Sequence, residues 1–228
     1  MSAQHPKVLL IVPNPRQMSL VAPIVSHFYN ILNENGIEMN FFDTTFYDVS
    51  DKYINPDEKA AENFSARSFK ENLPFEAIPV KDRPTLHKDF LEQVESFEPD
   101  IILVSALEST VTLGIELLGV VRHLNIPHCL GGIFATYAPK QSLNYPEVDM
   151  ICVGEGDHVI VDVANAIANG ESWLNFENLV TKDKEGNIKH NPLREMITDL
   201  DSLPFPDRKL YRDKFRYFKN SPITTNRN

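Results

Sequence analysis

Short runs of apolar, β-favouring residues alternate along this chain with longer stretches whose apolar residues recur every three or four positions. That alternation constrains the fold more than any other feature of the sequence. Val8-Leu9-Leu10-Ile11-Val12 is the clearest run, and Pro13-Asn14-Pro15 closes it. A continuous apolar run suits a strand covered on both faces, since it offers water no polar side. Residues 19–35 follow with Leu20, Ile24, Phe28, Ile31 and Leu32 at helical spacing, and Asn35-Gly36 supplies a helix stop. Residues 37–42 read as a second strand with Asp43 at its end. The pattern resumes as a helix over 86–97, a strand over 100–104 and a helix over 111–124. A strand over 127–130, a short helix over 138–144, a strand over 149–153 and a helix over 157–168 complete it.

Strand, helix, strand in this order implies parallel strands joined by right-handed crossovers. Five such strands predict an α/β fold, an open doubly wound parallel sheet of the flavodoxin or Rossmann-like type with order 2-1-3-4-5. Ligands bind such sheets beyond the carboxyl ends of the strands, at the switch point between strands one and three. The segments to inspect are therefore 13–20, 105–110, 131–136 and 154–156. Residues 44–85 interrupt the alternation with Pro56, Pro74, Pro79, Pro84, several Phe residues and many charges. A βα connection is normally a few residues long, so this segment reads as an insertion. It is either a lid or docking surface, or a solvated linker with its Phe side chains pinned to the domain. Beyond Gly170, Lys184-Glu185-Gly186-Asn187 between β-prone runs at 179–181 and 188–190 is a hairpin signal. Residues 198–208 are proline-punctuated and read as an exit linker. The expected organisation is an α/β domain over 1–170 with 44–85 inserted, then a hairpin plus linker over 171–228.

Composition removes several function classes. A net charge of −10 argues against a nucleic-acid surface, which needs clustered Lys and Arg. Cys129 and Cys152 are the only cysteines, each within an apolar run, and read as buried thiols of a reducing cytoplasm. They make neither a disulfide framework nor a Cys-x-x-Cys metal site. No apolar stretch is long enough to span a bilayer, and the N-terminus carries no signal-peptide pattern. Neither membrane nor nucleic acid is an expected partner.

The strand ends narrow the ligand. The loop after strand one lacks the Gly-x-Gly-x-x-Gly of dinucleotide sites and the Gly-rich Lys-Ser/Thr loop of nucleoside triphosphatases. A phosphoacceptor receiver wants acidic residues at the ends of strands one and three, where this chain has Pro-Asn-Pro and Ser105. Gly131-Gly132 at the end of strand four permits positive φ and close backbone approach, as a large flat ligand or a tight turn would require. Ser105-Ala106-Leu107 places a hydroxyl and an apolar side chain at the neighbouring strand end. Gly154-Glu155-Gly156 precedes a helix, with Glu155 near its start, where a carboxylate is favoured. Glu108 and Glu155 are the acidic residues there, and they make no convincing acid–base pair, since charged loop residues are usually solvated.

Together these residues resemble a known pattern. Ser105-x-Leu107 after strand three, followed by Gly131-Gly132 after strand four, is similar to the cobalamin (vitamin B12)-binding domain. Gly131-Gly132-Ile133-Phe134-Ala135-Thr136, Val148-Asp149 and Val153-Gly154-Glu155-Gly156 resemble the N-terminal domains of cobalamin-dependent radical SAM proteins. Residues 199–208, Asp-Leu-Asp-Ser-Leu-Pro-Phe-Pro-Asp-Arg, resemble the linker before their radical SAM core. The resemblance covers most of the chain and is weakest over 44–85. It implies a corrinoid held across the strand ends, its nucleotide tail beside Ser105, Leu107, Gly131 and Gly132. Asn14, Gln17, Ser19 and Leu20 would lie by the corrin, with Glu108, Ser109 and Thr110. Ile133, Phe134, Ala135, Gly154, Glu155 and Gly156 complete the implied cofactor set.

Two departures refine that implication. The His-bearing Asp-x-His-x-x-Gly loop of mutases and methionine synthase is absent, because residues 13–19 contain no His. No protein His ligand to cobalt is therefore expected, helical His27 is a poor candidate, and Asn14 and Gln17 are the residues placed under cobalt. The Cys-x-x-x-Cys-x-x-Cys motif of a radical SAM cluster is also absent. The [4Fe–4S] cluster and S-adenosylmethionine would belong to the radical SAM core of a parent enzyme, in which methylcobalamin commonly relays a methyl group. This chain is then expected to bind without catalysing, with no catalytic residue of its own. The alternatives are a flavodoxin-like protein-interaction module without cofactor and a small-molecule transferase using the same crevice.

Overall fold

The structure is a computed structural model that describes residues 5–14, 22–49, 80–182 and 186–214. The apolar run at the N-terminus forms β1 (Lys7–Val12). It lies between β2 (Glu38–Asp43) and β3 (Ile101–Ser105), parallel to both, with Leu10 beside Phe41 and Leu103. β4 (His128–Gly131) and β5 (Met150–Cys152) continue the parallel sheet. The predicted order of these five strands holds.

The strand count differs from the expectation. The predicted hairpin forms β6 (Leu179–Lys182) and β7 (Ile188–His190), and β6 pairs antiparallel with β5. The described residues thus form one seven-stranded sheet, β2-β1-β3-β4-β5-β6-β7, rather than five strands with a separate hairpin. The cause is the edge of β5, whose unpaired N–H and C=O groups the hairpin satisfies.

Alternation along β1 divides the interior between two faces. Val8, Leu10 and Val12 pack with Phe28 and Leu32 of α1 (Pro23–Glu34) and Val163 of α6 (Asp157–Ala168). Leu9 and Ile11 pack on the opposite face with Phe90 of α2 (Arg83–Phe97) and Leu117 and Leu118 of α3 (Val111–Val121). Gly114 lets α3 press onto β3, since a Cβ there would stand 2.6 Å from Val104 Cγ1.

Local chemistry sets the helix ends. α2 begins three residues before the predicted 86, because Asp82 caps it by accepting from the Thr85 N–H at 3.0 Å and Pro84 suits the first turn. α3 ends at Val121 and tightens into a 3-10 turn over Arg122–Leu124. The helix predicted over 138–144 is the short α5 (Pro139–Ser142), and a further short helix that was not predicted, α4 (Ile133–Tyr137), precedes it. Pro139 separates them, because the residue before a proline is pushed out of helical geometry. The predicted insertion has a closed neck: the Asp48 N–H donates to the Lys81 carbonyl at 2.8 Å, and the Lys81 N–H donates to the Phe46 carbonyl at 3.0 Å. Its residues 50–79 lie outside the described residues.

The predicted linker and the residues just before it run along the domain. Arg194 pairs with Asp162 of α6 at 2.7 Å, the Phe205 carbonyl accepts from Asn30 of α1 at 2.5 Å, and the Asp207 N–H donates to the Ser26 carbonyl at 3.2 Å. It ends in α7 (Lys209–Lys214), which brings buried Tyr211 to the Phe41 ring, 4.5 Å between centroids. No helix among the described residues is long and apolar enough to cross a membrane.

Candidate cofactor site

The carboxyl ends of β3 and β4 lie side by side, with Ser105 in register with Gly131. Ser105 is half-buried, and among the described residues its hydroxyl has no hydrogen-bond partner. Gly131 has room for a side chain that it lacks: a Cβ there would meet Cys152 Cβ and the Val104 carbonyl oxygen only at 3.8 Å. Gly132 differs completely. Its φ is +92°, and a Cβ would lie 2.7 Å from the Ala106 carbonyl oxygen and 2.9 Å from its nitrogen. Gly132 is therefore a packing glycine that lets the two strand exits touch, and the Phe134 N–H then donates to the Ala106 carbonyl at 3.3 Å.

Around this pair the loops are braced by their own polar groups. Thr110 is buried, and its hydroxyl accepts from the Leu107 N–H at 3.0 Å, so it shapes the β3 exit turn. The Thr136 hydroxyl donates to the Gly132 carbonyl and accepts from the Gly154 N–H, both at 3.1 Å, joining the β4 and β5 exits. Glu108 is exposed and Ser109 half-buried in the β3 exit. Phe134 packs against the core and Ala135 is buried within it. Leu107, Ile133 and Tyr137 are exposed at 42%, 61% and 85% of their surface, an unusual concentration of bare apolar side chains on consecutive strand exits.

At the β5 exit Gly154 has φ +79° with nothing within 4 Å of a Cβ. Gly156 approaches Phe28, whose Cζ would be 3.1 Å from a Cβ. The Glu155 carboxylate accepts from the Ile197 N–H at 3.3 Å and its carbonyl from Asn178 at 2.8 Å, so Glu155 ties down the linker. At the β1 exit the Asn14 carbonyl accepts from the Thr44 hydroxyl at 2.7 Å. Gln17, Ser19 and Leu20 lie outside the described residues.

The sequence pattern missed three residues here. Asp43 is buried at the end of β2, and burial raises its carboxyl above the usual range against the opposing hydrogen bonds from Thr45 and Tyr211. Tyr211 donates to it at 3.0 Å and accepts from the Ala22 N–H at 3.1 Å. Thr136 stood inside a quoted motif without a role. Asp43 at a strand end was a visible signal, whereas no local pattern points across the sequence to Tyr211.

Residues 13–22 contain no histidine. His27 bonds through Nε2 to Asp157, a contact that holds the Asp157 carboxyl below the usual range. Cys129 and Cys152 are buried and free, and burial pushes the Cys152 thiol up to about 12. No group of three or more His, Cys, Asp or Glu suited to a metal ion occurs among the described residues.

Residues 66–164, which include β3, β4, β5 and the exits of these three strands, match the B12 binding domain model. That part of the chain is similar to a B12-binding domain. The chain is 24% identical, over 132 residues, to an uncharacterized methyltransferase of Pyrococcus horikoshii, a match covering 56% of this chain and 28% of that protein. In structure it is similar to the cobalamin-dependent S-adenosylmethionine radical enzyme OxsB with aqua-cobalamin and S-adenosylmethionine bound. The TM-score is 0.63 at 15% identity, over 94% of this chain and 26% of that one. The radical S-adenosylmethionine methyltransferase TsrM of Kitasatospora setae, with cobalamin and a [4Fe-4S] cluster bound, gives 0.59 at 17% identity. That match spans 89% of this chain and 32% of TsrM. These likenesses establish the fold that the chain shares with those proteins. The chain spans less than a third of the length of each of these proteins.

Proposed function

We propose that this chain is the cobalamin-binding portion of a B12-dependent radical SAM methyltransferase, and that it holds the corrinoid over the strand ends without doing chemistry alone. The reading is carried by the Ser105–Gly131 pair. An unpartnered hydroxyl stands in register with a glycine whose absent side chain leaves space, at the switch side of a doubly wound sheet. Space without strain suits a ligand segment lying against the backbone, and a free hydroxyl suits hydrogen bonding to its polar groups. Leu107 and Ile133 supply an apolar ledge beside them. Asn14, Gln17, Ser19, Leu20, Glu108 and Ser109 extend the proposed cofactor surface, while Thr110, Thr136 and Gly132 fix its shape. Phe134, Ala135 and the Gly154-Glu155-Gly156 turn support it from behind.

A bound cobalamin would supply a cobalt centre able to carry a methyl group. The absence of histidine from residues 13–22 supports a cobalt without a lower ligand from this loop. The lengths of the relatives support a division of labour in which a radical SAM core, outside residues 1–228, supplies the iron–sulfur cluster and S-adenosylmethionine. The α/β domain over 1–170, its 44–85 insertion and the 171–228 hairpin and linker then form one cytoplasmic cofactor module. Reconstitution with hydroxocobalamin followed by gel filtration tests the reading. Corrin absorbance is expected to co-elute with the protein, and a corrin-free protein peak at saturating cofactor would refute it.

A further inference from the structure

A side-chain hydroxyl stands where the ladder between β4 and β5 would continue. Across β3 and β4, Ser105 lies opposite Gly131, and the Ala106 N–H donates to the Gly131 carbonyl at 3.2 Å. A parallel ladder repeats that step at even spacing. β4 and β5 pair Cys129 with Met150 and Leu130 with Ile151, so the same register sets Gly132 opposite Val153. Continued, that ladder would carry a bond from the Gly154 N–H to the Gly132 carbonyl. Thr136 takes both halves of it: its hydroxyl accepts from the Gly154 N–H and donates to the Gly132 carbonyl, each at 3.1 Å. The bond to Gly132 is the usual return of a helical threonine to the fourth residue back, and the Thr136 N–H shares that carbonyl at 3.1 Å. The bond from Gly154 is of another kind, because it reaches a different strand exit. Values of φ of +92° at Gly132 and +79° at Gly154 turn the two exits out of the ladder.

We propose that Thr136 is a positioning residue for the corrinoid: its hydroxyl is a spacer that holds the β4 and β5 exits one oxygen apart and so sets the width of the space at Gly131. This rests on the cobalamin reading and deepens it by naming the group that gauges the site. Gly131 directly precedes Gly132, and the side chain that a Cβ on Gly131 would meet is Cys152 of β5, two residues before Gly154. The separation of the two exits is therefore the width of the gap that a ligand segment at Gly131 has to enter. Beyond it the β5 exit is open, since a Cβ at Gly154 would meet nothing within 4 Å. A hydroxyl suits the task, because one oxygen can donate to one group and accept from another at the same time. The spacer is itself held in place. Ala135 beside it is fully buried, and the Ala138 N–H closes α4 on the Phe134 carbonyl at 2.9 Å. Without the hydroxyl, the exits are free to close until the Gly154 N–H bonds the Gly132 carbonyl directly. The polar groups then stay paired, so folding is preserved while the gap narrows.

The test is hydroxocobalamin titration of the full chain and three variants, with thermal melts followed by circular dichroism on the same proteins. Thr136→Val keeps the shape of the side chain and removes the hydroxyl. It is expected to weaken binding about tenfold, while the melting temperature stays within about 4 °C of the unaltered chain. Thr136→Ala also removes the hydroxyl, with a residue that a helix accepts readily, and is expected to weaken binding to a similar degree. It gives a second route should Thr136→Val fail to fold. Thr136→Ser keeps the hydroxyl and is expected to bind within about twofold of the unaltered chain. No corrinoid uptake by the unaltered chain overturns the cobalamin reading and this inference with it. Three results overturn this inference alone. They are uptake that Thr136→Val and Thr136→Ala leave unchanged, an equal loss in Thr136→Ser, and a loss of binding accompanied by a larger fall in melting temperature, which would make Thr136 a stabilising residue only.

Discussion

Gly131 and Gly132 are adjacent in sequence, but the structure assigns them different costs of substitution. Gly132→Ala must place a Cβ 2.7 Å from one backbone atom of Ala106 and 2.9 Å from another, at a φ of +92°. The backbone conformation costs about 1–3 kcal/mol for a non-glycine residue. Forcing the β3 exit away adds about 1–3 kcal/mol of overpacking, since backbone cannot rotate aside as a side chain does. Together they remove about 2–6 kcal/mol from a domain whose whole stability is on the order of 5–15 kcal/mol. At about 2–4 °C per kcal/mol for a chain of this size, the melting temperature should fall by about 5–20 °C. Gly131→Ala meets only ordinary contacts at 3.8 Å and should change stability by less than about 1 kcal/mol. Its bulkier counterpart Gly131→Leu should instead fill the space proposed for the corrinoid and weaken binding at least about tenfold, or 1.4 kcal/mol. Thermal melts and hydroxocobalamin titrations of the three variants separate the effects. An unchanged melting temperature in Gly132→Ala, or unchanged affinity in Gly131→Leu, would refute the assignment.

Three further outcomes are expected. His27→Ala should leave the absorption spectrum of bound cobalamin unaltered, because His27 is engaged with Asp157; a shift in the corrin bands would make it a ligand. The Asp157 carboxyl is held low by His27, so its contribution to stability is present above the unfolded value of 3.8 and is lost as pH falls through the lower folded value. Denaturant melts of Asp157→Asn should therefore lose less stability than the parent chain between about pH 4 and pH 2; parallel curves would discount the pair. Cys129 and Cys152 are buried with thiols pushed up, so neither should react with a thiol reagent at pH 8 until denaturant is added, and stoichiometric labelling of the native chain would contradict the packing.

The parallel sheet was legible because its signals are local. The run from Val8 to Val12 has no polar side, so its strand has to be covered on both faces, and the stretches between strands carry helical spacing. The doubly wound order follows from handed crossovers, and the crevice follows from the order. Ser105, Leu107 and Gly131 could thus be named from sequence, because they occur at strand ends that the pattern had already located. The hairpin was legible as a hairpin, but not as strands six and seven of the sheet, since its docking depends on the free edge of β5.

What only the tertiary structure decided is the meaning of residues whose partners are distant in sequence. Gly132 and Gly131 read alike as letters, and the backbone of Ala106 separates them. Glu155 read as an acid near a crevice, and its bond to Ile197 makes it an anchor for the linker. Residues 198–208 read as an exit, and the structure lays them along α1 until Tyr211 reaches Asp43, 168 positions earlier in the chain. By itself the sequence determined strands, helices and the strand-end face proposed for the cofactor, because each follows from periodicity within a few residues. The braces of that face come from side chains and backbone that only folding brings into contact.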